Sequence, residues 1–163
     1  MNEIADRYAA QDIGSVFVYT HEAHPGENWP HLTSMEQKFK HARALRDILG
    51  VTRPIYLDAL DGACHTAWGG QPNMSFILTR AGGPVYKADW THPPSVEEAI
   101  QYLLKVGERR KAGERLAPFR TERQEYRYQD NEGFQKGLER NGPQAVSDFA
   151  NAMKQMQAPP ANR

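Results

Sequence analysis

Residues 15–24 read SVFVYTHEAH. The first six are β-branched or aromatic apart from Ser15 and follow Gly14, the short apolar run expected of a buried strand, and the run ends directly on His21, Glu22 and His24. The next stretch, His21–Thr33, holds Pro25, Gly26 and Pro30 and reads as a loop. Ser34 and Gln37 then have the spacing of a capping box. Met35, Phe39, Ala42, Leu45 and Leu49 recur along one face until Gly50, which predicts a helix with those five side chains turned inward. Pro54–Asp58 (PIYLD) is a second strand. Two strands joined by a helix imply parallel pairing, because a crossover of that length returns the chain in the same direction.

Further along, Gly62–Trp68 predicts a short helical turn, and Met74–Thr79 and Pro84–Lys87 flank Ala81-Gly82-Gly83 as a β-hairpin. Ser95 with Glu98 predicts the cap of a helix carrying Val96, Ala99, Ile100, Leu103 and Leu104. Upstream, Met1–Gln11 places Ile4, Ala5, Tyr8 and Ala9 on one helical face, so the chain opens inside a helix. From Gly107 onward, 11 Lys or Arg and 8 Asp or Glu accompany few aliphatics, which argues against a second compact core. Within that region Pro143–Met156 predicts one amphipathic helix through Val146, Phe149, Ala150 and Met153, expected to pack on the main domain or on a partner. The organisation expected is a domain over 1–106, a charged helical extension over 107–157 and a disordered tail over 158–163.

A chain of 163 residues accommodates one domain with an appendage and not two catalytic domains. Its 20 Lys and Arg balance 20 Asp and Glu, so no bulk positive field draws it to nucleic acid or to an anionic membrane. No secretory h-region and no membrane-length apolar stretch occur, which implies a soluble, cytoplasmic chain. The single cysteine, Cys64, excludes an internal disulfide or a CxxC pair.

The densest polar constellation is His21, Glu22 and His24, with Trp29 and His31 in the same loop. Loops at the carboxyl ends of parallel strands form the ligand crevice of open α/β sheets, and an imidazole titrating near about pH 6.5 acts there as acid, base or donor. A solvated polar loop is the plain alternative. Zinc is a third reading, but HEAH lacks the helical spacing that brings the two histidines of HExxH onto one face. Pro72 precedes a strand and is either its ordinary opening residue or a cis-proline shaping a substrate loop. Cys64 beside His65 invites a nucleophile reading, against which stands a cysteine simply packed among small residues.

Taken together, VFVYTHEAHPGENW (Val16–Trp29), PIYLDALDGACHTAWGGQPNMSFIL (Pro54–Leu78) and GGPVYKADW (Gly82–Trp90) resemble the iodothyronine deiodinase family and its bacterial relatives over roughly residues 1–106. The resemblance implies an α/β, thioredoxin-like mixed sheet with flanking helices. It also implies reductive chemistry in which a selenocysteine or cysteine attacks iodine on an aromatic ring. On that basis Glu22 and His24 are the catalytic pair beside the nucleophile, Trp29 and His31 bind substrate, and Pro72 faces the nucleophile. No nucleophile is assigned within the chain and no metal or other cofactor is expected. The partners implied are a small-molecule substrate and a thiol reductant as electron donor, with no nucleic acid and no membrane; a homodimer is left open. At three places the chain departs from the family, with His31 near but out of register with the family's second histidine, Asn73-Met74 after the proline, and Ala88-Asp89-Trp90-Thr91-His92 before the last helix of the domain. A noncatalytic thioredoxin-fold binding module, or a His-rich metal-binding protein, are the alternatives.

Four expectations follow from the resemblance. The central strand of the sheet is missing between Ser15–Thr20 and Met74–Thr79, leaving a gap or forcing those strands together. Gln71-Pro72 is cis, and Glu22, His24 and Pro72 converge on one pocket. The chain alone shows no dehalogenation or disulfide reduction, Cys64 lacking a resolving partner. Met1 is not the biological start, the nucleophile segment having been encoded upstream.

Overall fold

The computed structural model describes residues 1–157, and the tail expected to be disordered lies outside the described residues. The protein is a mixed α/β chain. In order it runs α1 (Asn2–Ala9), β1 (Phe17–Tyr19), α2 (Met35–Asp47), β2 (Ile55–Leu57), α3 (Ala63–Trp68), β3 (Ser75–Leu78), β4 (Pro84–Ala88), α4 (Pro93–Lys111), α5 (Asn131–Asn141) and α6 (Pro143–Gln157). It divides into two compact units, each made of two separate pieces of chain: Met1–Ser15 with Gly69–Tyr128, and Val16–Trp68 with the chain from Gln129 onward. No helix among the described residues is long and apolar enough to cross a membrane.

The strands form two ladders of two, β1 with β2 and β3 with β4, and no described segment pairs with both β1 and β3. β1 and β2 run parallel, Phe17 opposite Ile55 and Tyr19 opposite Leu57. β3 and β4 run antiparallel with a register shift at Ile77/Leu78. Both pairings agree with the crossover and hairpin read from the sequence. The β1 strand was expected to be buried, and the structure corrects this in part. Tyr19 is buried, but Val18 and its partner Tyr56 are 41% and 60% exposed, so the ladder is covered on one side only.

In the unit built on β1 and β2, α2 begins as expected. Ser34 Oγ accepts the Gln37 N–H at 3.1 Å, while Gln37 Oε1 reaches back to the Thr33 N–H at 2.9 Å. Its inward face differs from the expected one. Lys38, His41 and Ala42 are buried, whereas Met35, Phe39 and Leu49 are about half exposed. Specific polar partners turn the helix: Lys38 Nζ donates to the Ala59 carbonyl at 3.2 Å, and His41 meets the end of β1. Phe39 lies instead beneath the Arg43 guanidinium, 4.7 Å from its ring centre.

The C-terminal helices belong to the same unit. Asp130 caps α5 by accepting the Gly133 N–H at 2.8 Å, and α6 opens on Pro143, whose missing N–H is harmless in a first turn. Glu27, from the loop after β1, places its carboxylate on the Gln144 N–H at 3.0 Å, where the positive end of the α6 dipole favours it. Leu138 and Ala145 are each only 2% exposed.

The other unit is built on an apolar cluster of Ile4 and Tyr8 from α1 with Val96 and Ile100 from α4, joined by Ile13, Ile77, Tyr86 and Leu104. Tyr8 Oη donates to Glu97 at 3.0 Å, and Arg7 pairs with the same carboxylate. The expected cap at Ser95 is corrected. α4 starts at Pro93 with His92 as its N-cap, since Pro93 and Pro94 suit the first helical positions. Ser95 is buried inside the first turn, bonded to His92 Nδ1 at 2.8 Å and to Glu125. The charged segment is not continuously helical either. Residues 113–130 carry no helix, and Phe119, Tyr126 and Tyr128 along them are 85–89% exposed.

Candidate functional site

β1 delivers Tyr19 to the carboxyl end of the parallel ladder, and the chain then turns through Glu22, His24 and Trp29. Because side chains alternate along a strand, Tyr19 points to the same side as Phe17, toward α2. There its hydroxyl donates to Glu22 Oε1 and stands 3.3 Å from His41 Nδ1, which is itself 3.3 Å from Glu22 Oε1. Trp29 meets the His41 ring edge to face at 5.1 Å. A carboxylate only accepts, so it places a proton on His41 Nδ1 and leaves Nε2 as the nitrogen able to exchange one. Burial, then the bond to Glu22, pushes the Tyr19 phenol above its ordinary range, so it remains a donor throughout the physiological interval.

Glu22, His24, Trp29 and His41 line one cleft of about 350 Å³, at the small end of the range for ligand sites. Its other walls are the apolar Ala44 and Leu45 of α2 with Ile48 and Leu49 just beyond its end, and Gly133, Phe134, Gly137, Leu138, Arg140 and Asn141 of α5. α5 is held there by main-chain and amide bonds to the loop. The Asn28 N–H donates to the Asn141 carbonyl at 3.0 Å, Asn28 Nδ2 to the Arg140 carbonyl at 3.0 Å, and Asn141 Nδ2 to the His24 carbonyl at 2.6 Å. A broader depression beside Arg46, Gly50 and Pro54 has no acid or base pair in its lining.

The expected residues therefore separate. Glu22, His24 and Trp29 come together, but His24 is packed edge to face against both Phe134 and Phe149, at 5.3 and 5.6 Å, and it is His41 that engages Glu22. His31 is exposed, its carbonyl accepting Gln37 Nε2 at 3.2 Å, and it does not line the cleft. Pro72 is an exposed residue ahead of β3 and belongs to the other unit. The Gln71-Pro72 bond is trans, as is every peptide bond among the described residues, correcting the cis expectation. Pro72 opens a short extended stretch in which the Asn73 carbonyl accepts Thr91 N–H and Oγ1 at 2.6 and 3.0 Å.

Nearby, a second polar group surrounds the end of β2. Asp58, 3% exposed, accepts the Cys64 and His65 N–H groups at 2.9 Å each and so caps α3. Burial alone would raise its carboxyl, but the N–H groups of His65, Cys64 and Ala59 and the Lys38 charge outweigh that and hold it below the usual carboxylate range. Burial lowers Lys38 against the pull of Asp58 and Asp61. His21 meets His65 with ring centres 4.9 Å apart and planes tilted by 45°, and is lowered first by burial, then by His65 and Lys38. Cys64 is exposed on α3, not packed among small residues. Among the described residues no three His, Cys, Asp or Glu side chains are grouped to hold a metal ion.

Sequence reasoning missed Tyr19, His41 and the whole α5 wall. The available signal for His41 was a histidine three residues after a lysine on a capped helix, both adjacent to the apolar stripe. Compared with family models, with curated proteins and with solved structures, the chain matches none.

Proposed function

We propose that the cleft binds a small aromatic halide and handles the proton in a deiodinase-like thiol or selenol oxidoreductase of thioredoxin-like fold. One observation carries the reading: a carboxylate and an imidazole on the wall of one cleft, Glu22 and His41, are hydrogen-bonded to each other and to the buried Tyr19 phenol. The thioredoxin-like part is supported by a parallel and an antiparallel ladder, the two kinds that flank the central strand in that fold. A selenolate or thiolate attacks the halogen, and the aryl carbon keeps the electron pair of the broken carbon–halogen bond and takes a proton from His41 Nε2, giving arene and a selenenyl or sulfenyl halide. Two molecules of reducing thiol return that halide to selenol or thiol, yielding a disulfide, halide ion and a proton. Glu22 and Tyr19 hold the imidazole in place through Nδ1. Cys64, exposed on α3 and outside the cleft lining, is not assigned the nucleophile.

A noncatalytic binding module is the second reading, favoured by His24 being packed against two phenyl rings. The experiment that separates them is iodide release from an iodophenol in dithiothreitol, with and without a small aryl selenol as surrogate nucleophile. The protein with dithiothreitol alone is expected to release none, and Cys64→Ser to change nothing. With selenol present, acceleration of about tenfold or more over protein-free solution is expected, lost in His41→Ala. Absence of acceleration while the iodophenol still quenches Trp29 fluorescence establishes the binding module in its place.

A further inference from the structure

Arg140 stands in the last turn of α5 and lines the cleft. Its guanidinium has no hydrogen-bond or ion-pair partner among the described residues, although the chain pairs many of its surface cations, Lys136 with Glu132 and Arg109 with Glu114 among them. A cation at a helix C-terminus ordinarily satisfies terminal carbonyls. Here those carbonyls are already taken: Leu138 and Glu139 accept the Gly142 N–H, and Arg140 and Asn141 accept from Asn28. The helix end therefore has no need of this side chain. The same bonds to Asn28 tie the Arg140 and Asn141 carbonyls to the loop that carries Glu22, His24 and Trp29, so an exposed charge is mounted on a fixed base.

We infer that Arg140 is a specificity-determining residue that selects aromatic ligands bearing a carboxylate. The inference rests on the reading of the cleft as an aromatic-ligand site and adds the charge of the ligand to it. The second ionisable pole of the cleft, Glu22, is engaged by Tyr19 and His41 and makes no ion pair with Arg140, so the two charges occupy separate parts of the lining. Trp29, Leu45 and Phe134 supply apolar and aromatic wall. A flat ring occupies that wall, and a planar carboxylate on it matches the two parallel N–H donors of a guanidinium. A lysine at the position would offer a point charge without the fork.

The test is calorimetric titration of the intact chain with 2-naphthoate and with its uncharged isostere 2-naphthamide. The wild-type protein is expected to bind the carboxylate about tenfold more tightly, the size of a charge-assisted bond made near solvent. Arg140→Gln brings the ratio close to one by weakening the carboxylate far more than 2-naphthamide, and Arg140→Lys recovers part of the preference. The inference is overturned if the wild type does not prefer the carboxylate, if Arg140→Gln leaves the preference intact, or if it weakens both ligands equally, which is what a structural role would do. Binding of neither ligand to the wild type removes the aromatic-ligand reading and this inference together. Failure of iodide release with the carboxylate preference present removes only the redox reading.

Discussion

At Asp58, burial and hydrogen bonding pull one carboxyl in opposite directions, and hydrogen bonding prevails. Its folded-state value lies below the unfolded one, so the stabilisation is complete above about pH 4 and is lost as pH falls through the folded value. Replacing it by alanine removes the cap of α3 and the anion opposite Lys38, whose ammonium is almost wholly enclosed. Asp58→Ala is expected to lower stability by about 1–2 kcal/mol at pH 7, by analogy with lost helix caps, and urea titrations should show the gap from wild type narrowing below pH 4. A gap that stays constant or widens in acid would mean that the charge of Asp58 is not what stabilises this corner. His21 acts in the same direction at higher pH, its lowered value removing stability as pH drops below about 6.5.

For secondary-structure elements, the decisive contact is the seat of α5 and α6 on the loop after β1. Gly26 is buried there, and a Cβ at that position would collide with the Asn141 carbonyl and lie 3.1 Å from the Ala145 Cβ. Glycine is needed because backbone meets backbone, so neither side has a side chain that can rotate away. Gly26→Ala should destabilise the protein by about 1–3 kcal/mol and weaken 2-naphthoate binding by displacing the α5 wall. Gly14→Ala is the control, with nothing within 4 Å of the added methyl and no change expected in either measurement. Equal behaviour of the two variants in urea denaturation and titration would show that the α5–α6 seat is not tight.

Across the whole molecule, one unit is assembled from residues 16–68 and the chain from 129 onward, while the segment leading to it exposes Phe119, Tyr126 and Tyr128. Irregular exposed chain is where proteases cut first, because it reaches an extended conformation without breaking a core. Brief chymotrypsin treatment is expected to cleave at those three residues before any site in α5 or α6. The resulting C-terminal fragment should co-elute with the rest on native size exclusion, held by the Asn28, Asn141 and Glu27 bonds and the His24 ring contacts, and separate in urea. Dissociation in native buffer would show that α5 and α6 are only loosely attached.

The amino-acid sequence by itself determined the local elements. Ser34 with Gln37, Pro143, the apolar runs at 15–20 and 54–58 and the glycines of the 81–83 turn each act within a few residues, so their effects were visible without a fold. It also placed Glu22, His24 and Trp29 in one loop. Tertiary structure decided the rest. The inward face of α2 follows Lys38 and His41 and not the apolar stripe, because an enclosed ammonium or imidazole must find its acceptors, and Ala59 and Glu22 lie far away in sequence. The role of α5 was unreadable for the same reason: Phe134 and Leu138 are its only large apolar residues, and it gains its place through bonds to Asn28 and His24 more than a hundred residues earlier. Helix caps and turns are short-range and leave their mark in adjacent letters. Which side chains meet in a cleft depends on long-range hydrogen bonds and ring contacts, which only the folded chain brings within reach.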